Sequence, residues 1–170
     1  MIIAVTGTPG AGKSTFSKEL SKKLGYTLID INDFLDDDDK LLVLEYDEER
    51  ETKIVDEERV VKKVEDYLRN EGYEDVIIDS HLSHYMSDKF IDVCVVMVCD
   101  ISILKERLID RDYNELKIKE NLDAEIFEEI KTECLERHKN VIAVDSTKGY
   151  NVAEIVKKIK QIEKKKNKIT

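Results

Sequence analysis

Residues 7–14 read Gly7-Thr8-Pro9-Gly10-Ala11-Gly12-Lys13-Ser14, the spacing G-x-x-x-x-G-K-S. Glycines at such positions let a backbone curl around an anion with several N–H groups pointing inward. Lys13 has the reach and charge to meet the β- and γ-phosphates of a nucleoside triphosphate, and the Ser14 hydroxyl is a suitable ligand for the accompanying Mg2+. A chance match in a glycine-rich loop is the alternative. Against it, the motif needs an apolar strand before it and an amphipathic helix after it. Residues 2–6 supply the first, and residues 13–24, with Phe16, Leu20 and Leu24 four apart, supply the second. Gly10, Gly12, Lys13 and Ser14 are therefore candidates for binding ATP.

Two further elements could complete such a site. Asp79 closes the apolar run Val76-Ile77-Ile78. An acid at the carboxyl end of a strand can hold Mg2+ directly or through water, although an Asp can also simply end a strand. His81 follows two residues on, where it could orient water or meet the γ-phosphate, or only hydrogen-bond its own loop. The neighbouring His84 is expected to be structural. Arg107 and Arg111 lie four apart, on one helical face, before a break at Asp112-Tyr113-Asn114. A hinged arginine can close on the charge that develops during phosphoryl transfer. The alternative is a solvated helix face paired with Glu106 or Asp110. A GTPase pattern is absent, since Leu82 stands where D-x-x-G needs glycine and no N-K-x-D segment precedes the last helix.

The elements that must position these residues alternate. Strands are expected over residues 2–6, 26–31, 76–79, 93–98 and 141–144. Helices are expected over 13–24, 56–69, 101–109, 115–138 and 152–162, the fourth long and open to interruption. Gly25 ends the first and Asp100 caps the third. This order implies a five-stranded, doubly wound parallel sheet in one domain spanning residues 1–170. Residues 32–53 break the rhythm and read as an inserted mobile subdomain. Within it, Asp36 to Asp39 is expected to be a solvated loop. The Lys164 to Lys168 tail is expected to be a solvated helix end, or else a contact to rRNA.

Composition narrows the class. Of 170 residues, 41% are apolar and 39% charged, with a formal net charge of −10. That apolar share supports a packed core, and the acidic balance does not attract nucleic acid broadly. An anionic substrate must then be met by local cations, while an acidic face suits a basic protein partner. Cys94, Cys99 and Cys134 form no metal-ligand pattern and read as reduced and buried. Met1 leads directly into the first strand and no apolar run approaches membrane-spanning length, so a cytoplasmic location without membrane contact is expected.

With these residues assembled, the chain resembles the adenylate kinase isoenzyme six family. The likeness runs through residues 6–15, Glu45-Tyr46-Asp47-Glu48-Glu49, Asp56-Glu57-Glu58-Arg59-Val60, residues 76–81, Glu106-Arg107-Leu108 and Arg111-Asp112-Tyr113-Asn114-Glu115. The resemblance implies a nucleoside-monophosphate kinase fold, with residues 30–53 as the monophosphate-binding insert and 110–120 as a short lid. It implies reversible phosphate transfer between ATP and a nucleoside monophosphate, a side ATPase activity, and transient binding to a small-subunit ribosomal protein of the S-eleven type during rRNA maturation. By the same resemblance Thr15 joins the triphosphate loop, Asp79 and His81 form a catalytic pair, and Arg111 is the lid arginine. Arg50 and Arg59 are candidates to bind the acceptor. Two residues depart from the pattern: Leu82 and Asp112 stand where glycine is expected. Two other classes stay open, an ATP-switched ribosome assembly factor with little kinase activity, and another small-molecule kinase of shikimate or dephospho-coenzyme-A type.

Overall fold

The computed structural model describes residues 1–35, 42–166 and 168. In chain order the elements are β1 (Ile2–Gly7), α1 (Lys13–Leu24), β2 (Thr27–Asp30), β3 (Val43–Asp47), β4 (Thr52–Val55), α2 (Glu57–Asn70), β5 (Val76–Asp79), β6 (Val93–Val98), α3 (Ile101–Ile109), α4 (Glu115–Ile126), α5 (Glu129–Arg137), β7 (Val141–Asp145) and α6 (Val152–Lys166). Short 3-10 turns follow β2 and β5. The acidic run Asp36 to Asp39 lies outside the described residues, as do residues 167, 169 and 170 at the end of the basic tail.

Five strands pair in the order β2-β5-β1-β6-β7, all parallel. The inner strands β1, β5 and β6 are buried on both faces and read as continuous apolar runs. Alternation then sends side chains to two separate layers. Val93, Val95 and Met97 of β6 pack with Phe16 and Leu20 of α1, Leu104 and Leu108 of α3, and Ile155 and Ile159 of α6. Cys94 and Val96 pack on the opposite face with Val60, Val64 and Leu68 of α2 and Cys134 of α5. All three cysteines are free and buried. Among the described residues no helix is long and apolar enough to cross a membrane.

The long helix expected over residues 115–138, open to interruption, is interrupted and forms two helices. Glu128 stands at φ 50, in the left-handed region, and separates α4 from α5. The turn follows from the layers. Ile118 and Leu122 of α4 rest on the first layer, whereas Ile130 and Cys134 of α5 belong to the second. A straight helix cannot serve both faces of a sheet. The insert also has more order than its mixed composition suggested. Its described part is an antiparallel hairpin, with Tyr46 opposite Lys53 and Asp47 opposite Thr52.

Central strand β1 has β5 on one side and β6 on the other, so chain connections depart in opposite directions around it. In open α/β sheets ligands bind outside the carboxyl ends of strands at such a reversal. Gly7 sits there at φ 136, and a Cβ at this position would lie 2.4 Å from the Met97 carbonyl oxygen on β6. We expect Gly7→Ala to cost more than ~3 kcal/mol and to lower Tm by about 6–12 °C, read by thermal unfolding.

Candidate active site

The loop after β1 turns through two more left-handed glycines, Gly10 at φ 89 and Gly12 at φ 93. The Ala11 amide closes a tight turn onto the Thr8 carbonyl at 3.0 Å. Gly12 is also the N-cap of α1, and no side chain caps that helix end. Its first-turn N–H groups face outward with the positive end of the dipole, an arrangement suited to a phosphate.

Lys13 reaches back over this loop, donating to the carbonyls of Gly7 at 2.8 Å and Thr8 at 3.1 Å. Burial lowers its pKa to about 8; Asp79 opposes the shift, and the nearby Arg111 charge adds to it. The ammonium is thus present at neutral pH but costly to hold, and an incoming phosphate would relieve that cost.

Strand register brings in Asp79 from 74 positions away, since Val5 of β1 pairs with Asp79 of β5. Its carboxylate is buried, which raises its pKa, while a hydrogen bond from Ser14 and the Lys13 charge pull the other way. Asp79 Oδ1 has no hydrogen-bond partner among the described residues. A buried carboxylate oxygen with an unused lone pair, beside a serine hydroxyl, is the donor set that Mg2+ takes in hard-oxygen sites. The residues present fit that ion, with Ser14 and Asp79 as its protein partners.

His81 lines the same cleft. Its ring is exposed to cleft water, but crowding by the cleft walls and the Lys13 charge lower its pKa to about 4. The imidazole is therefore neutral at pH 7. His84 is buried and structural, as expected. Its Nε2 faces Glu133 of α5 at 2.8 Å and its Nδ1 faces the Thr6 hydroxyl of β1 at 2.9 Å. A carboxylate only accepts, so Nε2 carries the proton and the ring bridges β1 to α5.

The arginines separate. Arg111 is exposed, lines the cleft with Lys13, Asp79 and His81, and no hydrogen bond or ion pair among the described residues holds its guanidinium. Arg107 is committed instead. It donates to the Gly10 carbonyl at 3.3 Å, the Ser146 hydroxyl at 3.0 Å and the Ser146 carbonyl at 3.1 Å, tying the phosphate loop to the turn after β7. Arg50 faces the cleft from the hairpin turn, bonded to Asp47 at 2.5 Å and Glu120 at 2.9 Å. Arg59 pairs with Asp56 at the start of α2, 3.1 Å away, and is not among the cleft-lining residues. Thr15 lies on the other side of the loop, in a groove with Arg107, Ser146 and Tyr150. Asp112 adopts φ 54, the left-handed geometry that the resemblance assigns to glycine; Asp tolerates it better than most residues.

Sequence reading missed one face of α4. Lys117, Glu120, Asn121 and Ala124 line the cleft at helical spacing. Asn114 caps α4 and donates to the Glu49 carbonyl at 2.8 Å, and Lys117 donates to the Glu51 carbonyl at 3.2 Å, so α4 grips the hairpin turn. The polar face of α4 was visible as spacing, but nothing local said what it would face.

Comparisons with known proteins show the family and the fold. Residues 3–128 match the family described as AAA domain. The chain is 40% identical over 159 residues to a protein of Pyrococcus abyssi named "Putative adenylate kinase", covering 94% of this chain and 82% of that one. It is also 40% identical over 144 residues to the Adenylate kinase isoenzyme 6 homolog FAP7 of Saccharomyces cerevisiae, covering 84% of this chain and 71% of that one. Among solved structures, shikimate kinase from Acinetobacter baumannii superposes with a TM-score of 0.60 at 14% identity, covering 97% of this chain and 93% of that one, a likeness of fold.

The lowered Lys13 pKa sets a pH dependence. The free ammonium is lost as pH rises through about 8, whereas a bound phosphate would hold the proton to higher pH. ATP affinity should therefore be flat below pH 7 and weaken by up to about tenfold per pH unit above 8. Calorimetric titration at pH 6.5, 8 and 9.5 checks this, and Lys13→Ala should flatten the profile.

Proposed function

This chain belongs to the adenylate kinase isoenzyme 6 family, and we propose that it is a nucleoside-monophosphate kinase that passes the ATP γ-phosphate to a monophosphate and hydrolyses ATP slowly on the side. The observation that carries the reading is the cleft itself. One cavity of about 530 Å³ is lined by Lys13, Ser14, Asp79, His81 and Arg111 on the phosphate side and by Arg50 and Lys117 on the hairpin side. Donor and acceptor can meet there in line.

The chemistry needs position more than proton transfer. A phosphate acceptor is already anionic, so no strong base is required, and neutral His81 suits the orienting of a phosphate oxygen or a water rather than its deprotonation. Magnesium, when bound, supplies charge neutralisation on the phosphate oxygens beside Ser14 and Asp79. Lys13 holds the transferred end of the triphosphate through its fixed geometry over the loop. Arg111, with no fixed partner of its own, is able to follow the moving charge. The nucleobase of ATP would lie in the groove between Thr15, Arg107 and Tyr150, beyond the phosphate loop. Arg50 is the favoured acceptor cation, since it faces the cleft and Arg59 does not. The hairpin and α4 wall this space and limit hydrolysis by excluding water.

The resemblance also implies a role in small-subunit maturation through a basic ribosomal protein of the S-eleven type. A net charge of −10 supports a basic partner, and Ile126, Phe127 and Leu135 are exposed apolar side chains at the end of α4 and on α5. In that setting ATP turnover would time release of the partner. A complex with such a protein that weakens with salt and dissolves on ATP hydrolysis would support it; indifference to nucleotide would remove it.

The first test is a coupled transfer assay with ATP and Mg2+, offering AMP, dAMP, CMP, UMP, GMP and shikimate separately. We expect ADP formation that depends on a nucleoside monophosphate and disappears in Lys13→Ala. Phosphate release indifferent to every acceptor would reject the kinase reading in favour of an ATPase switch. Arg111→Ala should lower kcat by roughly 10²–10³ with ATP binding changed far less, as expected for a group that acts on the transition state.

A further inference from the structure

Glu125, near the end of α4, makes contacts that nothing in the site so far explains. One carboxylate oxygen accepts from the Thr8 hydroxyl at 2.6 Å, and the other accepts from the Cys99 backbone amide at 2.8 Å. Thr8 is the first residue of the phosphate loop after β1 and is 1% exposed. Cys99 is the first residue after β6. A single half-buried carboxylate therefore ties together the carboxyl ends of the two central strands and the side chain of the loop's outer arm. The Thr8 carbonyl, in turn, is one of the two oxygens that receive the Lys13 ammonium.

The helix that carries Glu125 is seated unusually. No residue of α4 is fully buried, and its two ends are fixed by polar contacts. At the N-terminal end Asn114, Lys117 and Glu120 hold the hairpin turn through the Glu49 and Glu51 carbonyls and Arg50. At the C-terminal end Glu125 holds Thr8. Charge-assisted hydrogen bonds of this kind are short, directional and stronger than neutral ones. Between these ends Ile118 and Leu122 rest on the first hydrophobic layer, so the helix moves as a unit and a shift is felt at both ends.

We propose that Glu125 is a positioning residue for the triphosphate: its carboxylate fixes the phosphate loop through Thr8 and makes the shape of that loop depend on the seating of α4. The inference rests on the reading of this cleft as an ATP site, and it adds a residue that neither the motif nor the lid supplies. Thr8 stands at an x position of the G-x-x-x-x-G-K-S spacing, where the backbone alone is usually credited with binding. Here its hydroxyl is the handle by which the lid helix holds the loop.

The test is a double-mutant cycle on the full chain, with the Kd for ATP–Mg2+ measured by calorimetry and Tm recorded for each variant. Glu125→Ala and Thr8→Val should each weaken ATP about tenfold, the loss expected when one charge-assisted bond in a binding loop is removed. The double variant should be no more than about twofold worse than either single one, because both remove the same contact. Glu125→Gln should recover most of the affinity, since an amide can accept from the Cys99 N–H and still pair with the Thr8 hydroxyl. A lower Tm with unchanged Kd would reduce Glu125 to a structural tie and overturn the proposal. Effects that multiply in the double variant, or a Gln variant as weak as Ala, would overturn it too, the last pointing to the charge near Lys13 instead. Monophosphate-dependent transfer by the unaltered protein is measured in parallel. Its absence would reject the kinase reading, while the ATP series would still decide the role of Glu125.

Discussion

Holding a lysine ammonium inside a protein is costly, and much of this molecule can be understood as the means of holding Lys13. Its charge is desolvated enough that its pKa falls to about 8. Two loop carbonyls and the nearby Asp79 offset part of that cost. The carbonyls are available because glycines bend the loop into conformations other residues resist, and Gly7 does so under the most crowded condition, pressed against the Met97 backbone. Asp79 is available because β5 pairs with β1 in the register that sets it beside Val5. Each support comes from a different level of structure, and each is needed before the ammonium can sit where a γ-phosphate would arrive. What remains uncompensated is what a bound phosphate would satisfy.

How much of this was legible in the sequence depended on how far apart the interacting residues lie. The phosphate loop was legible because its residues, its strand and its helix are contiguous, so spacing alone carries the geometry. Asp79 was legible as a strand-terminal acid even though its neighbour in space is 74 positions away, because buried parallel strands announce themselves as apolar runs. The strand order β2-β5-β1-β6-β7 was not, since nothing in an apolar run says which other run it will pair with. Glu125 was invisible for the same reason. Its partners Thr8 and Cys99 lie 117 and 26 residues off, and on α4 it reads as one more surface glutamate.

The arginines show the limit from another side. Arg107 and Arg111 share a helical face by spacing, yet the fold gives them different work. Arg107 points across the loop and is consumed by the Gly10 and Ser146 contacts, whereas Arg111, one turn later and past the last residue of α3, is left facing the cleft. The helix ends between them, and that one-turn difference converts a structural tie into a group able to move. Arg50 and Arg59 divide similarly. Both begin as candidate acceptor cations, but the hairpin aims Arg50 inward while Asp56 keeps Arg59 at the cap of α2.

The link between the hairpin and the phosphate loop has a physical form that spacing could not supply. The hairpin turn carries Arg50 and three backbone or carboxylate contacts to α4, and α4 carries Glu125 to the phosphate loop. The hairpin turn and the phosphate loop are therefore joined through one helix that has no fully buried residue and rests on the first layer through Ile118 and Leu122. Apolar packing resists small displacements because contacts are lost over fractions of an ångström. Hydrogen bonds at the exposed hairpin end exchange with water at little net cost, whereas the Glu125 bond to buried Thr8 is costly to break. Placing the connection in α4 leaves the β1–β5 pairing that sets Asp79 beside the phosphate loop outside it.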